Sequence, residues 1–314
     1  MRRLLIALSQ NPTVKDVAVG FPPARRVVDR FVPGESIEDA VGAVRQLAAS
    51  GIRATIDHLG EYADDRTKVE TQVDTYLALL ERLGEEHLTD AAEVSIKASA
   101  LGQGIDDDLA LTNARRIASA AREVGTTMTI DAEDHTRTDA TLALLAAVRQ
   151  EYPDTGGVLQ AMLHRTPDDC RALATAGSRI RLCKGAYDEP PSVAHRSPTA
   201  ISDAFLTCLR ILLKGDGYPM IATHDPRLIA AAQAYLDLLD RPKGTYEFQM
   251  LYGIRPDEQR RLAASGHTVR VYVPFGDDWY AYFMRRLAER PANVIFLLRA
   301  MLERPRRNQV AGGF

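Results

Sequence analysis

The sequence predicts an α/β fold, a (β/α)₈ TIM-type barrel of eight parallel strands with helices between them. Three observations carry this. Eight short apolar runs recur along the 314 residues, separated by stretches of helical periodicity. Nearly every run ends in a polar residue, as a barrel with a working mouth at its strand ends requires. The Gly-rich first turn typical of a doubly wound open sheet is missing, since no G-x-G-x-x-G occurs.

The elements follow in order. Helices before the first run are extra to the barrel and are expected to cover its bottom or side. Ser36 with Asp39 resembles a capping box ahead of a helix over Ile37 to Ala48. The first run, Ile52 to Asp57, ends in Asp57-His58. The second, Val94 to Lys97, leads into Ala98-Ser99, and the third, Thr127 to Asp131, into Ala132-Glu133-Asp134-His135. The fourth, Gly157 to Met162, carries Gln160. Thr166 then precedes Pro167, which predicts Thr166 as an N-cap with proline at the first helical position. The fifth run, Arg179 to Cys183, places Arg181 between apolar neighbours and continues into Lys184-Gly185-Ala186-Tyr187. An Arg is almost never fully buried without a partner, so Arg181 points to function. The sixth run, Pro219 to Thr223, ends in Thr223-His224, with Asp225-Pro226 as the next helix start. The seventh, Thr245 to Gln249, carries Glu247 and Gln249. The eighth, Thr268 to Val273, carries Tyr272 and closes at Pro274-Phe275-Gly276.

A final helix is expected at the barrel mouth. It carries Tyr282, Arg285 and Arg286 at positions i, i+3 and i+4, which share one face. Two adjacent guanidinium forks suit one carboxylate or phosphate, because each fork donates two parallel hydrogen bonds. No linker divides the chain. It reads as a single domain, with N-terminal helices to about residue 50, the barrel to about 303 and a flexible tail beyond.

Composition narrows the function. Apolar content of 46% and charged content of 26% are those of a soluble globular protein. A net charge of -3 gives no reason to expect nucleic acid as a partner. Cys170, Cys183 and Cys208 are an odd number with no C-x-x-C spacing, so reduced thiols in a cytoplasmic protein are expected. The apolar run Leu4 to Leu8 is too short for a signal peptide, and no stretch approaches the roughly 20 apolar residues of a spanning helix. His58, His135, His164 and His224 are scattered, without the H-x-H on the first strand that a metal-dependent hydrolase barrel carries, so no metal is expected. Lys97 and Asp131 read as an ion pair at neighbouring strand ends. Either Lys97 or Lys184 could alternatively serve a Schiff-base aldolase, which would leave Arg181, Gln160 and the Arg285-Arg286 pair without a task.

The ordered set of strand-end motifs resembles the proline dehydrogenase family. The residues that carry the likeness are Val94 to Leu101, Ile130 to Glu133, Arg181 to Tyr187, Ala222 to His224, Glu247 to Gly253, Val271 to Gly276, and Tyr282 with Arg285-Arg286. The likeness runs from about Ala24 to Leu302, and the length resembles the monofunctional bacterial form. The main departure is Cys183 in place of a more usual aliphatic residue.

The resemblance implies a barrel flavoenzyme that oxidises L-proline to 1-pyrroline-5-carboxylate by hydride transfer to the N5 of FAD. It implies a quinone acceptor, peripheral contact with a membrane, and a separate aldehyde dehydrogenase for the product. Lys97, Arg285 and Arg286 would hold the substrate carboxylate. Tyr272, Tyr282 and Leu251 would wall its ring, and Glu289 would orient the arginine pair. Asp131 and Arg181 would be the catalytic-site residues, with Arg181 beside the flavin. Ala132, Gln160, Lys184, Gly185, Ala186, Thr223 and His224 would hold the cofactor. A mouth made cationic by Lys97 and the arginines would stabilise developing negative charge and ease loss of the proton from the bound amine.

Overall fold

The structure, a computed structural model, describes Val28, residues 30–60, residues 63–280 and Tyr282. It divides into two compact units. Val32–Asp277 forms one; Met1–Phe31 with Asp278–Phe314 forms the other. In the second unit, the described residues include the buried aromatic side chains of Phe31, Trp279, Tyr280 and Tyr282, with Trp279 and Tyr280 meeting edge to face.

The larger unit is a closed barrel of eight parallel strands in sequential order. They are β1 (Arg53–His58), β2 (Ala92–Ile96), β3 (Met128–Ile130), β4 (Gly156–Gln160), β5 (Arg179–Cys183), β6 (Tyr218–Ala222), β7 (Glu247–Leu251) and β8 (Val269–Phe275), with β8 pairing back onto β1. The α-helices of this unit are α1 (Ile37–Ala48), α2 (Arg66–Glu85), α3 (Asp107–Glu123), α4 (Thr138–Arg149), α5 (Thr166–Leu173), α6 (Pro198–Lys214), α7 (Pro226–Leu238) and α8 (Pro256–Ala264). Each of the eight expected runs is a strand, displaced by no more than a turn residue or two. Helix α1 is extra to the repeat and packs on β1 and β8. Among the described residues no helix is long and apolar enough to cross a membrane.

Local chemistry explains the helix starts. Ser36 and Asp39 make the reciprocal capping box ahead of α1, as expected. Asp225 caps α7 by accepting from the Arg227 amide at 3.0 Å. The expected cap at Thr166 is corrected. Arg165 is the N-cap of α5, and Thr166 lies inside the helix with its hydroxyl donating to the Gln160 carbonyl at 2.6 Å. That bond ties the helix start to the end of β4, which a cap on its own helix could not do.

The strands alternate with a two-residue period. Ala54, Ile56, Val94, Ile96, Ile180, Leu182, Phe248, Met250, Val271 and Val273 belong to the apolar core that packs against the helices. The alternate residues point into the barrel and are largely polar: Thr55 and Asp57, Glu93 and Ser95, Arg179 and Arg181, Glu247 and Gln249, Arg270 and Tyr272. Barrel interiors are usually filled by branched aliphatic side chains. Here the axis is an ionic lattice instead. Glu93 takes bonds from Thr55 at 2.9 Å and Thr129 at 3.1 Å and pairs with Arg179 and, at 3.7 Å, Arg270. Arg270 in turn pairs with Glu247 at 2.8 Å. Burial by itself would raise the Glu93 carboxyl, but Arg179, Arg270 and Arg181 outweigh it and hold it at about 2.

Candidate active site

The carboxyl ends of the strands gather two sets of polar residues on opposite arcs of the barrel. On β1, β2, β3 and β8 stand Asp57, Lys97, Asp131 and Tyr272. Lys97 is 8% exposed, and its ammonium donates to both oxygens of Asp57 at 2.7 Å. Asp57 is 1% exposed. Burial raises its carboxyl above the ordinary range against the pull of Lys97, and the neighbouring Asp131 adds to the rise. Behind it lies Tyr76 of α2. Its hydroxyl donates to the Ser95 carbonyl at 2.6 Å, accepts from the His58 amide at 3.2 Å and stands 3.3 Å from Asp57.

Asp131 receives the Tyr272 hydroxyl at 2.7 Å and ion-pairs with Arg181. Burial, then the charge of Asp131, pushes the Tyr272 phenol far above its usual range, so it stays a neutral donor. Arg181 crosses from β5 to reach Asp131. It also donates to Gln249 at 2.6 Å and Ser95 at 3.2 Å, and its guanidinium lies 5.3 Å from the centre of the Tyr272 ring. Its Nη2 is buried without a hydrogen-bond partner.

The second arc is made by β4, β5 and β6, which are adjacent. Gln160 donates to the Glu133 carbonyl at 2.7 Å and lines a pocket with Ala132. Lys184 donates to Asp225 at 3.0 Å. Gly185 has φ of 102°, and a Cβ there would lie 2.6 Å from Met162, so the turn needs glycine. The Thr223 hydroxyl accepts the Asp225 amide at 3.1 Å. The His224 ring accepts the Leu251 amide at Nε2, 2.8 Å, which places the ring proton on Nδ1. Arg255 donates to the His224 carbonyl at 2.8 Å.

Thus Lys97, Asp131, Arg181, Tyr272, Gln160, Ala132, Lys184, Gly185, Ala186, Thr223, His224 and Leu251 all lie at the strand ends of one barrel. Tyr282 is buried and helical in the other unit. Arg285, Arg286 and Glu289 lie outside the described residues. The expected pairing of Lys97 with Asp131 is revised: the close partner of Lys97 is Asp57, and Asp131 serves Arg181 and Tyr272. Among the described residues Lys97 is paired with Asp57, Arg181 with Asp131 and Lys184 with Asp225, while Arg285 and Arg286, on which the expected cationic mouth also rests, lie outside them. Asp57 and Tyr76 carry no role in the sequence motifs. The alternation Thr55-Ile56-Asp57 beside Glu93-Val94-Ser95-Ile96-Lys97 could have revealed Asp57 as inward-facing. Tyr76 had no such signal, since it is one apolar-face residue of a long helix. Among the described residues, no cluster of His, Cys, Asp and Glu could hold a metal ion.

The residues fit a large anionic cofactor. Donors from three adjacent strands and a glycine turn line one arc, while the other arc presents an ammonium. Fold and site together define a (β/α)₈ barrel enzyme. Sequence comparison gives the particular kind. Residues 40–299 match the profile described as proline dehydrogenase. Proline dehydrogenase 1 of Bacillus subtilis is 38% identical over 304 residues, covering 97% of this chain and 100% of its own. Proline dehydrogenase of Deinococcus radiodurans is 40% identical over 307 residues, covering 96% and 98%. The chain belongs to the proline dehydrogenase family. Among solved structures, proline utilization A from Bdellovibrio bacteriovorus, inactivated by N-propargylglycine, superposes with a TM-score of 0.78 at 23% identity. That match covers 84% of this chain but only 32% of the larger one, and it shows the shared fold.

Proposed function

We propose that this chain oxidises L-proline to 1-pyrroline-5-carboxylate with FAD held at the barrel mouth. The ring C–N single bond becomes C=N as the carbon loses hydride and the nitrogen loses a proton. Bound FAD would supply the hydride acceptor. The observation that carries the reading is Arg181, which starts on the Gln160–Lys184–His224 arc and ends on Asp131 of the opposite arc. One guanidinium thereby links the cofactor side to the substrate side.

On this reading Gln160, Lys184, Gly185, Ala186, Thr223 and His224 hold the cofactor, with Ala132 beside it. Lys97 takes the substrate carboxylate together with Arg285 and Arg286. Leu251, Tyr272 and Tyr282 wall the ring, and Glu289 steadies the arginine pair. Asp131 fixes Arg181 and Tyr272, so the hydride donor meets a rigid floor. Electrons pass on to a quinone, which would bring the protein to a membrane surface, and the product to a separate dehydrogenase. The near-complete match to monofunctional relatives supports a single catalytic domain.

An aldolase reading is weaker. A Schiff-base lysine reacts as the free amine, whereas Lys97 and Lys184 each hold a carboxylate. A visible spectrum of the purified protein, before and after L-proline, tests the proposal. Flavin bands that bleach with L-proline are expected. Well-folded protein that neither contains flavin nor takes up added FAD would sink it.

A further inference from the structure

We propose that Asp57 is the positioning residue of the substrate side. It grips the Lys97 ammonium through both oxygens and keeps it charged and aimed at the place of the substrate carboxylate. This rests on the reading of Lys97 as a carboxylate ligand.

The geometry argues for a dedicated partner. Both bonds are 2.7 Å, and both side chains are nearly enclosed. A lysine ammonium has four rotatable carbons behind it and is a point charge, so it points nowhere without a fixed counter-charge. Asp57 is itself fixed. It lies on β1, whose partners are β8 and β2, and Tyr76 closes its back. Among the described residues, the charged and titratable groups that face it are Lys97 from β2, Asp131 from β3, Tyr272 from β8 and Tyr76 from α2, with His58 next in the chain. Asp57 bonds Lys97 through both oxygens, while Asp131 is engaged by Arg181 and Tyr272. A buried ammonium stripped of its carboxylate sheds its proton more easily. The neutral amine would then bind a carboxylate poorly.

Asp57→Asn preserves shape and removes the charge; Asp57→Glu preserves the charge. The probe is cyclopentanecarboxylate, a ring acid with no titratable amine, bound to the full chain with its flavin and followed by calorimetry from about pH 6.5 to 9.5. In the wild type its affinity should be flat with pH. In Asp57→Asn it should weaken as pH rises, by about ten- to a hundredfold at the alkaline end, with Asp57→Glu restoring much of it. Asp57→Asn binding as tightly and as flatly as wild type would overturn the proposal, another carboxylate then serving Lys97. Acetylation of Lys97 by an uncharged active ester, read by peptide mass spectrometry without ligand, gives a second measure. The free amine is the nucleophile, so Asp57→Asn should react faster. If Lys97→Met leaves probe affinity unchanged in an otherwise wild-type chain, the substrate role of Lys97 fails. Acetylation then decides Asp57 alone, and equal rates in the two proteins would sink it.

Discussion

Arg181 is 5% exposed, with its guanidinium among Asp131, Ser95 and Gln249 and over the ring of Tyr272. Replacing it by Met leaves Asp131 buried without its cation. Removing one member of a buried pair costs about 3–5 kcal/mol. Arg181→Met should lose melting temperature, flavin content and turnover together, and adding Asp131→Asn should recover stability but not turnover. Normal flavin content with normal turnover in the single variant would refute the assignment. A second residue-scale prediction concerns pH. Proline reacts as its free amine, so the rate of flavin reduction should rise with pH to a plateau. Lys97→Met removes a cation that disfavours the protonated amine. Asp57, freed from the charge that pulls its carboxyl down, rises further and takes up a proton rather than adding an anion. The variant's apparent pKa for flavin reduction should therefore move up, with the greatest slowing at neutral pH. Stopped-flow bleaching across pH measures this, and a profile displaced toward acid would contradict it.

Among the elements, the junction of β6 and α7 does two tasks. Asp225 caps α7 and holds Lys184 of the β5 turn. Burial would raise its carboxyl, yet Lys184 and the Arg227 amide lower it from an ordinary 3.8 to about 2. A depressed folded value means the stabilisation is present above about pH 4 and is lost as pH falls toward 2. Asp225→Ala should cost about 1 kcal/mol as a lost cap. It should also weaken flavin retention, because Lys184 loses its anchor. Urea unfolding and flavin release by dialysis check the two separately. An unchanged flavin affinity would confine Asp225 to the cap.

For the whole molecule, the ionic axis matters most. Glu93 meets three guanidiniums at the centre of the barrel and is held at about 2, below its ordinary 4.5. Its contribution is complete above pH 4.5 and is lost as pH falls toward 2. Glu93→Gln should destabilise the barrel by about 3–5 kcal/mol near neutral pH, since Arg179 and Arg270 keep their charges without it. The gap between wild type and variant should narrow on acidification over that window. Denaturant unfolding at several pH values measures it, and a gap that widened in acid would reverse the sign argued here.

The sequence by itself determined the eight strands, their order and the polar residues at their ends. Those features are local: run length, two-residue alternation, caps such as Ser36-Asp39 and Asp225-Pro226, and the absence of a Gly-rich first turn. It also determined the family, because the motifs keep their order. Only the tertiary structure decided who pairs with whom. Lys97 and Asp131 are neighbours in strand order, so the sequence offered them as partners. The barrel instead brings Asp57 from β1 onto Lys97 and swings Arg181 across from β5 to Asp131. Closure of the sheet also set Glu93, Arg179, Glu247 and Arg270 against one another along the axis. Pairing across a closed barrel depends on strand register and side-chain reach, and one-dimensional spacing encodes neither.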